Sequence, residues 1–166
     1  MSNSYAGRFT TRISSKLSEI GEMSTATDAI AAGAYSVDYT ITNGAAANGA
    51  QVHWHNRATM TEGATADINL CSLAHAFGTV SMSVVKAAIV RVTSTATGVE
   101  LTVGAPTSNT FAAVKGTVGP QGMLQGTNFI DGWAVTAETN DLIGLENTGS
   151  GTLAYEIIIV GDGAVS

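Results

Sequence analysis

The chain has 166 residues and a formal charge of −6; 45% of residues are apolar, 12% charged and 6% aromatic. Ala, Gly, Ser and Thr account for 80 of the 166. Charged residues are about half as common as the ~25% usual in globular domains, which excludes a solvated, polyampholytic disordered chain. The length suits one domain with an arm and is enough to bury a core. Small side chains fill little volume, so stability must come largely from backbone pairing, close sheet packing or burial against a partner.

Charge is uneven. Residues 1–60 carry four basic groups (Arg8, Arg12, Lys16, Arg57) and four acidic ones (Glu19, Glu22, Asp28, Asp38). Residues 61–166 carry three basic and nine acidic groups, so the whole excess lies there. Affinity for phosphate backbones rests on lysine and arginine, so the larger segment is a poor nucleic-acid binder. A single cysteine, Cys71, allows neither an intrachain disulfide nor a cysteine zinc cluster, and fits assembly in a reducing cytoplasm. The N-terminal residues lack the apolar core of a signal peptide. Val84–Val90 and Ile157–Val160 fall far short of the ~20 residues that span a bilayer. The chain reads as soluble and unsecreted.

In chain order, residues 1–34 read as an arm and linker. Arg8, Arg12 and Lys16 recur every four residues around Ile13, Leu17 and Ile20, a spacing for a short helix with a basic edge. Thr10, Thr11, Ser14, Ser15 and Ser18 weaken that helix, and an extended arm that orders on a partner fits equally. Ser24–Ala34 reads as a helical turn or linker. From Tyr35 the period becomes two: Tyr35, Val37, Tyr39 and Ile41 share one face. Asn43-Gly44 and Asn48-Gly49 are turn signals. Further strands are expected over Gln51–Met60, Ala66–Leu73, Ser81–Thr93, Val99–Val103, Phe111–Val118, Asn128–Val135, Asp141–Glu146 and Leu153–Val160. Ser81–Thr93 is expected to be the longest, and its Ala87-Ala88-Ile89-Val90 run suits a strand covered on both faces. About nine strands with turn signals between them predict an all-β fold over 35–166: an antiparallel β-sandwich, jelly-roll-like, preceded by the N-terminal arm.

Several groups carry chemistry. His53-Trp54-His55 on a strand places both imidazoles on one face and the indole on the other. The two histidines suit an inter-subunit contact, with Trp54 in the core; with His75 they suit a transition metal only if a third ligand converges. Asp67, Ser72 and His75 supply carboxylate, hydroxyl and imidazole within nine residues, but no Gly-x-Ser-x-Gly elbow accompanies them. Cys71 reads as an inert thiol. Asp131, Glu138, Asp141 and Glu146 lack a calcium-loop pattern and lie beside turn residues. Gly119, Gly122 and Gly126 form no phosphate loop. Trp133 fits core filling better than a sugar-stacking platform. These readings assign no catalytic residue, no cofactor and no metal.

From Ile68 to Gly161 the order of elements is more specific. Ile68-Asn69-Leu70, Ala76-Phe77-Gly78, Val84 to Val90, Leu101-Thr102-Val103-Gly104, Gly119-Pro120-Gln121-Gly122, Gly132 to Ala137, Asp141 to Asn147 and Thr152 to Gly161 follow one another. This run resembles the head decoration, or cement, proteins of tailed bacteriophages, over roughly 95 of the 166 residues. The resemblance implies a jelly-roll-like sandwich displayed on the outside of a virion, assembled in the host cytoplasm, with the major capsid protein as partner and no enzymatic role. It further implies an arm that grips the shell through Arg8, Arg12 and Lys16. Symmetry and the same resemblance favour a homotrimer, with a dimer second, and neither nucleic acid nor membrane as partner. Two other classes stand beside it. One is a host-attachment or carbohydrate-binding module of a virion fibre, using Trp133, Tyr155 or loop acids. The other is a small jelly-roll metalloenzyme using His53, His55 and His75.

Overall fold

A computed structural model of the protein describes residues 7–20, 25–76, 78–105 and 108–166, with side chains described from Ile41 onward, Asn43 excepted. It is all-β and holds thirteen strands among these residues. Strand β1 (Gly7–Ile20) pairs antiparallel with β2 (Thr25–Asn43). The ladder runs from Gly7↔Ile41 to Ile13↔Tyr35 and resumes from Ser15↔Ile30 to Ile20↔Thr25, leaving residues 31–34 of β2 outside it. The expected arm is therefore a β-hairpin, and the helix weighed for residues 8–20 is a strand. Its Thr, Ser and Ile residues, which cost helix propensity, suit a strand. At 19 residues β2, not the segment after Ser81, is the longest strand. It runs through the expected 34/35 boundary, although its register breaks just before it. The short β3 (Gly49–Ala50) joins the ribbon by parallel pairing with Thr42 and Asn43.

The body is a sandwich of two sheets. One has the order β10 (Met123–Thr127), β7 (Gly78–Val92), β13 (Leu153–Val165), β4 (Val52–Met60), with β6 (Leu73–His75) and β11 (Trp133–Ala134) also pairing with β7. The other has the order β5 (Thr65–Asn69), β12 (Leu142–Asn147), β8 (Leu101–Val103), β9 (Gly116–Val118). All pairings within these two sheets' ladders are antiparallel. Alternate residues of both sheets meet in one core: Trp54, Met82, Val90, Ile157 and Ile159 from the first, Leu101, Val103, Ile143 and Leu145 from the second. Each such side chain contributes on the order of 1.5–3 kcal/mol by leaving water.

Some expected strands divide. Ala66–Leu73 breaks at Leu70–Ser72, and β6 joins the other sheet, so this segment crosses between the layers. Leu70 is fully buried in that crossing. Only Gly116–Val118 of Phe111–Val118 is strand, yet Phe111 and Val114 are core residues in the loop before it. Most of Asn128–Val135 is loop, and β10, just upstream, takes the place beside β7. The last strand runs on to Val165.

The outer face of the first sheet holds a second, smaller core. Ile41 and Ala50 at the hairpin base meet Ala87, Val160 and Phe129 there. The Asn48 N–H donates to the Phe129 carbonyl at 2.8 Å. Ala87 and Val160 are covered on this side while Ala88 and Val90 fill the main core, so the apolar run is buried on both faces as its composition requires. Beside this outer core, β7 bulges against β13: Val160 faces Ala87 but Gly161 faces Val85, leaving Lys86 without a register partner. The backbones approach so closely here that a Cβ on Gly161 would collide with the Val84 carbonyl. The bulge turns Lys86 into a buried position, where its Nζ donates to the Ile130 carbonyl at 3.0 Å and lies 3.9 Å from Asp162 Oδ2.

Candidate functional site

Strand β4 ends its sheet, pairing only with β13. Its alternation sends Trp54 into the core, 5% exposed, and leaves His53 and His55 exposed. The indole N–H donates to the Ala74 carbonyl at 2.8 Å. That bond ties β6, the next strand over the crossing, to β4. His75 follows Ala74, and its ring stands edge-on to that of His53, with centroids 6.1 Å apart and planes at 85°. The chain has three histidines, and all three line one open depression with Ala74 and Ala76. Sequence spacing gives the pair on β4; the topology adds His75 from 20 residues away. Among the described residues no group of three or more His, Cys, Asp or Glu side chains could hold a metal ion.

The other sequence candidates separate. Arg8, Arg12 and Lys16 all lie on β1, and their side chains fall outside those described. Asp67 is exposed on β5 in the second sheet, Ser72 is exposed in the crossing turn, and His75 belongs to the first sheet. Burial and, second, the Asp141 carboxylate push the Cys71 thiol above its ordinary range, which keeps it protonated and unreactive. Of the four acids singled out, Asp131 and Glu138 are exposed in loops, while Glu146 is half-buried on β12. Asp141 is buried, and its Oδ1 has no hydrogen-bond partner. Trp133 packs partly buried against the main core, and Tyr155 is 3% exposed within it.

The Lys86–Asp162 pair was not singled out in the sequence, though one lysine inside Val84–Val90 is the signal that marks it. Burial pushes the Asp162 carboxyl upward, with the Lys86 charge opposing. Its Oδ1 is buried without a partner. A buried pair at this separation specifies geometry more than it stabilises. Here it anchors the Phe129–Ile130 loop, which in turn seats the hairpin base.

No protein-family model matches the chain, and no curated protein matches it.

Proposed function

We propose that the protein is a virion structural protein, a decoration or cement protein that binds the outside of a phage head and bridges capsomers. The observation that carries this reading is the long β1–β2 hairpin, which forms a sheet of its own beside a complete two-sheet sandwich. An isolated two-stranded ribbon is marginal in water, so one this long gains most by lying on a partner surface. It holds Arg8, Arg12 and Lys16, three of the chain's seven basic residues, whereas the segment after residue 60 is strongly acidic. A basic ribbon on an acidic body suits attachment by one end, with the body in solvent and repelled by nucleic acid. The gain per subunit is buried area, multiplied over many copies on the shell.

Two of the sandwich's end strands, β4 and β5, also favour assembly, because cyclic packing covers open edges. A homotrimer at the local three-fold positions of the shell is the arrangement we propose, with His53 and His55 on the β4 edge at the contact between copies. The fibre-type, glycan-binding alternative draws no support from Trp133 and Tyr155, which serve the core.

The test adds full-length protein to empty heads of the parent phage and images them by cryo-electron microscopy. External density at three-fold positions is the expected result. The triple variant Arg8→Glu/Arg12→Glu/Lys16→Glu should leave heads bare while its circular dichroism stays that of a β protein. Heads bare with the unaltered protein, or fully coated by the variant, would contradict the attachment reading.

A further inference from the structure

We propose that the copies of the homotrimer meet head to tail, with the outer face of the first sheet of one copy seated on the β5 edge of the next. The inference rests on the homotrimer reading and names its contact surfaces. Strand register sets the outward side chains of this face in rows. Arg57 on β4, Glu156 on β13, Arg91 on β7 and Met123 on β10 form one row. Ile158 and Ile89 stand side by side in the next. The row after that, with Val160 and Ala87, is already covered by Ile41, Ala50 and Phe129 at the hairpin base.

Two rows therefore lie open. Met123 is 55% exposed and Ile158 36%, two of the four large apolar side chains that stand in solvent among the described residues. An apolar strip rimmed by polar and charged groups is the anatomy of a docking surface. His53 and His55 point outward from β4 at the border of the same face, so they fall at this contact.

Charge selects the occupant. Arg57 pairs with Glu156, so the row keeps one positive charge over, at the exposed Arg91. The face therefore takes an acidic surface, and a second copy of this chain supplies one. The four strands of the second sheet carry no basic residue. β5 ends that sheet, pairing only with β12, and Asp67 stands exposed at its middle. Glu62, just before β5, accepts from the Gly151 N–H, which leaves Asp67 as the carboxylate for Arg91 of the neighbouring copy. A face and an edge of one sandwich point in different directions. Contacts between them turn from copy to copy and close into a ring instead of running on as a filament.

The experiment is sedimentation velocity with light scattering on the full-length protein alone, without phage heads. The expected mass is that of three chains. Ile158→Asp, Arg91→Glu and Asp67→Arg should each raise the concentration of half-dissociation by about tenfold or more. The double variant Arg91→Glu/Asp67→Arg exchanges the two charges and should return assembly to within about threefold of the unaltered protein. All four variants change exposed positions and should keep the circular dichroism of the unaltered protein. Sodium chloride at about 0.5 M should weaken assembly. A trimer that survives all three single substitutions, or a double variant no better than its parents, would overturn this contact while the homotrimer stands. A mass of one or two chains at every concentration would overturn the homotrimer reading and the contact with it.

Discussion

The sandwich and the hairpin are both built from paired strands, yet they are held by different forces. In the sandwich, two sheets face each other and bury apolar side chains from both sides, so ladder and core support one another. In the hairpin, among the described residues, β1 pairs with β2, and β3 and the small outer core around Ile41 join the ribbon to the body. The difference teaches where stability and function separate. The body needs no partner to cover its inner faces, whereas the ribbon is described by its long ladder and by its base around Ile41 and Ala50.

Substitutions should expose that division. The largest effects belong to the body: Ile143→Ala or Ile157→Ala, each removing a fully buried side chain from the centre of a sheet, should cost about 2–5 kcal/mol in urea unfolding. Lys86→Met should cost about 3–5 kcal/mol, because it strands the buried Asp162 charge; the double Lys86→Met/Asp162→Asn should recover most of that loss. If the single and double variants unfold alike, the pair does not anchor the outer core. Asn147→Ala comes next, at about 2–3 kcal/mol. This buried amide donates to the Met60 and Gly151 carbonyls at 3.0 and 2.8 Å, and both acceptors would be left unpaired.

Acidity offers a finer cut. The Asp162 carboxyl is pushed above its ordinary value of about 3.9, so the folded chain holds that proton more tightly than the unfolded chain. Its contribution to stability is therefore fully present below pH ~3.9 and is lost as pH rises through the raised folded value. Urea midpoints measured from pH 3.5 upward should show this fall, and Asp162→Asn should remove it. The smallest effect is Arg57→Ala on the exposed edge. The guanidinium of its ion pair with Glu156 stands largely in solvent, and its loss should cost under about 1 kcal/mol.

Local pattern made part of this architecture legible. Alternation at Tyr35–Ile41 and the doubly apolar Ala87–Val90 mark strands because side-chain direction alternates along the backbone whatever the partner is. The hairpin pairing was hidden. Residues 8–20 are polar enough to read as several structures, and only the distant β2 decides among them. The crossing at Leu70–Ser72 was hidden for a related reason: Leu70 is as buried in a turn as it would be in a strand. In the site, the His53–His55 pair follows from spacing alone. His75 does not, since the contact depends on how β6 docks, through its ladder with β7 and the Trp54 indole bond to Ala74.

Under the virion role proposed above, the division between body and arm is tested most directly by sedimenting residues 41–166 with empty phage heads, alongside the full-length protein. The account predicts that the full-length protein pellets with the heads, while the shorter chain stays in the supernatant with a cooperative thermal transition. Coating of the heads by residues 41–166 at the occupancy of the full-length protein would contradict it.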